Sequence, residues 1–282
     1  MSISSSAVLV EQNISVWTAN KLDRTVTEEV LVAKNAVSKS GQFRKNLMAG
    51  TTERKDIADY AAGCRLWHNM NTMPWADKGV RLLPSSLFMD YKVEANKRRD
   101  NFNFMTEAFL KNYDNLVGIA SNYMGDLFNA DDYPTVDAVA ECFNYRLVFS
   151  PVPEAGDFRL DIPQDDLTEV MSDYNEQFDR RLQEAMAEPW QRLHKLLANM
   201  SNKLDDTGES KKRYHDSFVD NAVDLCDMLK HMNLTNDPKL EQARLELRKA
   251  MTGIHIETLK EDSVSRNDLK RDVDKILGGF DW

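Results

Sequence analysis

Turn-forming residues are scarce in this 282-residue chain, which has only 11 glycines and 8 prolines. An average protein would have roughly 7% and 5% of each. An all-β sandwich or barrel needs frequent turns, so that architecture is excluded and long uninterrupted helices are expected. Cysteine is scarce too. Cys64, Cys142 and Cys226 are odd in number, far apart and without metal-ligand spacing, which excludes a disulfide framework and points to buried thiols in a reducing compartment. No run approaches the ~20 apolar residues of a membrane helix, and the opening Met1-Ser-Ile-Ser-Ser-Ser lacks the basic stretch of a signal peptide. A soluble, cytoplasmic protein with no membrane partner is expected.

Catalytic signatures are missing as well. The chain has no Gly-x4-Gly-Lys-Ser/Thr, no Gly-x-Ser-x-Gly and no His-Glu-x-x-His, and its five histidines never fall three or four residues apart. No cofactor is implied.

What is present is charge, unevenly placed. The net charge is −10, yet residues 1–84 carry 11 basic and 8 acidic side chains, while residues 129–188 carry 4 basic and 15 acidic. A protein-wide nucleic-acid surface is therefore not expected. The acidic span could occupy a basic groove, or simply solvate a helix flank. The basic cluster Lys39, Arg44, Lys45, Arg54 and Lys55 has no interleaved aromatics and reads as a solvated surface or a contact for an acidic partner.

Periodicity supplies the architecture. Residues 6–17 alternate as a strand, with Val8, Val10, Ile14 and Val16 on one face. Helical stripes follow from Thr25 to Val37 and over 53–69, the latter through Ile57, Ala61, Cys64 and Trp67. Residues 70–84 show no period and read as a loop. From Phe88, steps of three and four reach Tyr91, Ala95, Arg98, Phe102, Met105, Phe109, Asn112, Leu116, Ile119, Tyr123 and Asp126. Nine of those twelve positions are apolar, a heptad on a helix of about 60 Å. Its expected partner is 165–204, striped by Leu167, Met171, Tyr174, Phe178, Leu182, Ala185, Leu193, Leu196, Met200 and Leu204 and kinked at Pro189. Between them, 145–162 reads as a β-hairpin, with strand 6–17 as its third member.

Three C-terminal helices are expected, over 210–232, from Pro238 to Gly253, and from Ser265 to Gly278. The fold class is thus mainly α: a long antiparallel, coiled-coil-like hairpin, a small three-stranded sheet and additional packed helices. The segments divide as 1–84, 85–204 and 205–282. Phe104, Ala108, Tyr113 and Val117 flank the heptad seam in surplus, to be covered by other long helices of the chain or by a second copy; the latter suggests a homo-oligomer.

Three groups of candidate residues stand out. Asp220, Asp224, Asp227 and His231 fall at spacings of four, three and four on one helix face, where they could hold a divalent ion or merely be solvated. Asp77 and Arg81 are spaced to pair across a turn at Gly79, with Trp75 buried against the start of the long helix. At the C-terminus, Gly278-Gly279 releases Phe280, Asp281 and Trp282, whose aromatics need cover either on their own bundle or in a partner's groove.

The string Trp75-Ala-Asp-Lys-Gly-Val-Arg-Leu-Leu-Pro84, followed by the long helix, resembles an uncharacterised protein family of tailed phages and bacteria. Ile14-Ser-Val-Trp17, Pro151-Val-Pro153 with Asp157-Phe-Arg159, and Asn236-Asp-Pro238 share the resemblance, which spans roughly residues 8–250. Such proteins are often encoded near a MoxR-type AAA ATPase and a von Willebrand A-domain protein. The resemblance implies no catalytic residues. Together with the long aromatic heptad and the lack of a catalytic constellation, that gene neighbourhood suggests a non-enzymatic helical scaffold or adaptor in the host cytoplasm, with a protein partner such as the AAA ATPase. An acidic inhibitor of a host nucleic-acid enzyme and a metal-dependent enzyme are the alternatives.

Overall fold

The computed structural model describes residues 3–76, 79–153, 164–205, 217–280 and 282, with residues 164–166 as helix backbone. In order the elements are α1 (Ile3–Ser6), β1 (Ala7–Ser15), β2 (Asn20–Asp23), α2 (Arg24–Ala33), β3 (Phe43–Asn46), α3 (Glu53–Asn71), β4 (Met73–Pro74) and β5 (Val80–Pro84). They continue with α4 (Phe88–Lys111), α5 (Tyr113–Met124), α6 (Val136–Ala140), β6 (Asn144–Pro151), α7 (Gln164–Leu204), α8 (Ser217–Met232), α9 (Pro238–Met251), α10 (Ile256–Glu261) and α11 (Ser263–Gly279). The protein is mainly helical with a small antiparallel sheet, as the shortage of turn residues predicts. No described helix is long and apolar enough to cross a membrane.

The chain divides into two compact units that interleave in sequence. One comprises residues 1–11, 69–91 and 148–282, the other 12–68 and 92–147. These units are not the three consecutive segments expected from the sequence.

In the first unit, β1 pairs antiparallel with β5, Ala7 opposite Pro84 and Glu11 opposite Val80, and β5 pairs with β4. The sheet order is β4-β5-β1-β6. The stretch read as a loop is therefore a hairpin. Its strand Val80–Pro84 buries Leu82, Leu83 and Pro84 in succession, and burial on both faces erases the alternation that marks a strand. The neighbour relation between β1 and β6 is as expected, whereas the hairpin's second arm lies outside the described residues.

Trp75 is buried, but against α7 rather than against α4. Its ring meets Phe178 edge to face at 5.3 Å, and it joins Leu9, Met73, Leu82, Ala185 and Met232 in one apolar cluster. Gly79 has φ +83°, the left-handed region that L side chains resist. Open space surrounds the Cβ position, so only the backbone penalises substitution. Gly79→Val should cost about 2 kcal/mol, and thermal melting of the variant against the wild type checks it.

α7 is the long helix of this unit, 41 residues with Pro189 inside it and so about 60 Å. Leu193, Leu197, Met200 and Leu204 pack into one core with α8, α9, α10 and α11. Ser201 ties α7 to α11 by donating to Asp274, whose other oxygen lies 2.7 Å from Lys270. Asp237 caps α9 by accepting from Lys239 and Leu240. α11 starts at Ser263, two residues before the expected Ser265, because Asp262 caps it by accepting from Val264 and Ser265.

In the second unit the seam of α4 from Phe102 onward packs with α3 and the chain entering from β1. Phe102, Phe109, Tyr113 and Leu116 share a cluster with Trp17, Ile57, Ala61, Cys64 and Tyr145. Trp17 sits 6.3 Å from Phe109 and 5.9 Å from Tyr113, ring to ring. The long helix also breaks at Asn112, where φ is −102° and ψ 4°. After the break the buried stripe runs through Tyr113, Leu116, Ala120 and Met124. Tyr123, an expected seam residue, is 71% exposed.

Candidate interaction surfaces

α2 and its flanking strands form an arm of the second unit. The strands β2 and β3 pair antiparallel with Asn20 opposite Asn46 and Asp23 opposite Phe43. Asp23 caps α2 by accepting from Val26 at 3.0 Å, and Thr27 accepts from the Phe43 amide at 3.0 Å. At the arm's base Lys45 is only 7% exposed. Its ammonium contacts Asp132 and lies 3.2 Å from both Asp23 and the Leu127 carbonyl. The Asp132 carboxylate, outweighing desolvation, raises the Lys45 pKa. Asp23 is held below the usual carboxylate range, chiefly by the Val26 amide and then by Lys45.

This corrects the reading of the basic cluster. Lys45 is an internal anchor, Arg54 donates to the Trp17 carbonyl at 2.7 Å, and Lys55 pairs with Asp59. Only Lys39 and Arg44 of the five are exposed with no partner among the described residues. α2 itself buries no residue. Val30, Val32 and Val37 are 47%, 77% and 76% exposed; α2 ends at Ala33, so the helical stripe expected as far as Val37 is cut short, and Val37 lies beyond the helix.

The acidic candidate face on α8 is dispersed. Asp220 and Asp224 are exposed. Asp227 pairs with Arg248 at 2.7 Å, and His231 Nδ1 lies 2.9 Å from the Ser86 hydroxyl. No group of three metal-ligating side chains exists among the described residues.

Asp77, the expected partner of Arg81, lies outside the described residues; Arg81 itself is engaged elsewhere. Its guanidinium donates to Thr72 Oγ1 at 2.6 Å and to the Asn69 and Thr72 carbonyls. Burial lowers the Arg81 pKa, with Arg192 acting in the same direction and Glu188 against it. Arg192 converges on the same helix end. It donates to the carbonyls of Asn69, Met70 and Thr72 at 2.7, 2.5 and 2.9 Å and to Glu188 at 2.8 Å. Two cations thus cap the negative end of α3.

The C-terminal aromatics fold back on their own unit. Phe280 and Trp282 lie 5.8 and 5.5 Å from Trp190, and Trp282 lies 5.1 Å from His194. Trp282 Nε1 donates to the Leu277 carbonyl at 2.7 Å, yet the residue stays 42% exposed. Asp281 lies outside the described residues.

The α2 arm, the buried Lys45 and the Arg192 junction were not singled out as such by sequence reasoning. Comparison of the chain with protein-family models, with curated proteins and with solved structures finds no match.

Proposed function

We propose that the chain is a non-enzymatic helical scaffold or adaptor of a phage-type system that works with a MoxR-type AAA ATPase in the host cytoplasm. The solvent-facing strip of α4 carries this reading. Val93 and Phe104 are 67% and 69% exposed and stand eleven residues apart, about three turns, on one line of the helix. Ala108 extends the line by a further turn and is also exposed. Exposed large apolar side chains on one line mark a protein-binding face, and Lys97 and Asp100, exposed between them on the same line, add charge to it.

The test is affinity purification of the tagged chain from phage-infected cells, with mass spectrometry of what it retains. The wild type should recover the ATPase, and Phe104→Asp should reduce recovery at least about tenfold. A wild type that retains no ATPase, or a variant that retains as much, overturns the proposal.

A second reading, an acidic inhibitor of a host nucleic-acid enzyme, draws on Glu169, Asp173, Glu176 and Asp179 of α7. All four are exposed, with no ion-pair partner among the described residues. Reversing their charges would end capture of a basic host enzyme under that reading, and would leave ATPase recovery intact under the first.

A further inference from the structure

We infer that the α2 arm docks on the amino-terminal half of α7 in a second copy of the chain, in a head-to-tail contact. The arm is built to hold its shape without a cover. Its base is pinned by Lys45, Asp23 and Asp132, while its tip leaves Val30, Val32 and Val37 in water. Residues 20–46 carry six basic and three acidic side chains, a net of +3 in a chain of net −10. Everything else in the molecule therefore sums to −13, and the arm is attracted to any other copy.

The receiving surface is specific. Glu169, Asp173, Glu176 and Asp179 recur every three or four residues on α7, which places them along one side of the helix. Val170, 36% exposed, stands among them. Opposite in character, the arm presents Lys34, Lys39 and Arg44, exposed and without partners among the described residues, at and beyond the C-terminal end of α2, while its two exposed acids, Glu28 and Glu29, lie in the middle of that helix. Charge steers the encounter, and Val30 with the exposed Ala33, three residues on along the same side of α2, provides the apolar contact. Arm-to-arm pairing would instead oppose like charges, so an isologous dimer through α2 is disfavoured. A contact between two different patches is heterologous and builds rings or open chains.

Light scattering on the eluting full-length protein tests this. At about 50 mM salt the mass should exceed 32.4 kDa and rise with concentration. At roughly 500 mM salt, where exposed charges are screened, it should return to the monomer value. Val30→Asp/Val32→Asp and Glu169→Lys/Asp173→Lys/Glu176→Lys should each be monomeric alone, because each loses one of the two patches. Mixed in equal amounts, they should form a pair of twice the monomer mass, since each retains the patch the other lacks. All these side chains are at the surface, and unchanged circular dichroism and melting confirm that the variants fold. A wild type that stays at 32.4 kDa at low salt up to about 100 µM overturns the inference. So does a mixture that stays monomeric, or an arm variant that assembles like the wild type. Failure here is independent of Phe104, so it leaves the ATPase reading untouched.

Discussion

Arg192→Ala should lower the melting temperature by about 6–10 °C, the consequence of losing about 3 kcal/mol. The side chain is only 18% exposed, and it spans Glu188 and three carbonyls at the end of α3. Those carbonyls have no further helical turn to pair with, and Thr72 is fully buried, so water cannot readily replace the guanidinium. Arg81 remains nearby, but it already donates to Thr72 Oγ1 and to two of the same carbonyls. Removal also leaves Glu188 without its cation. Arg192→Lys should restore less than half of the loss, because a single ammonium cannot reach several acceptors at the angles the planar fork does. Calorimetric melting of the three proteins provides the measurement. An alanine variant melting within about 1 °C of the wild type would show that this junction contributes nothing.

How much of this was legible beforehand depends on sequence distance. The helical class followed from the lack of glycine and proline, and the stripe Ile57, Ala61, Cys64 followed from spacing because neighbours on a helix face are near in sequence. The seam of α4 was legible for the same reason, up to Asn112. Past the break, Tyr113, noted only as surplus, joins the buried stripe together with Leu116 of the expected seam. The cover of that seam was not legible, since any apolar helix would satisfy the pattern and α3 competes with α7 on equal terms. Strand β5 was hidden because burial on both faces removes the period of two.

The charged anchors were the least legible. Lys45 in Phe43-Arg-Lys-Asn-Leu-Met48 reads as one more surface cation. What makes it internal is Asp132, far along the chain in another element. Arg192 has the same character, its acceptors lying about 120 residues away. Local sequence can show that an aromatic such as Trp282 needs cover. It cannot show that Trp190 supplies it.

Lys45→Ala should unfasten the arm while leaving the core of its unit folded. A two-stranded ribbon such as β2–β3 is marginal on its own in water, and α2 buries nothing that could hold it. The ribbon therefore depends on the lysine at its base, whose loss leaves Asp23 and Asp132 facing each other with side chains only 15% and 13% exposed. Removing one member of such a buried set costs about 3 kcal/mol, which is roughly a hundredfold in an opening equilibrium. Amide hydrogen exchange at residues 20–23 and 43–46 should accelerate by that factor, with little change in α3 and α4. The effect should be flat across neutral pH. Lys45 has a raised pKa, so its contribution is complete below the ordinary lysine value of about 10.4 and fades only as pH rises past the raised one. Asp23 has a lowered pKa, so its contribution is complete above about 3.9 and fades as pH falls. Lys45→Met combined with Asp132→Asn removes one carboxylate charge along with the cation and should recover part of the protection. Unchanged exchange in Lys45→Ala would show that the arm is held by something other than this lysine. If the arm is what joins one copy to the next, the same substitution also ends the low-salt assembly, because a molten arm no longer presents Val30 and Ala33 in a fixed arrangement.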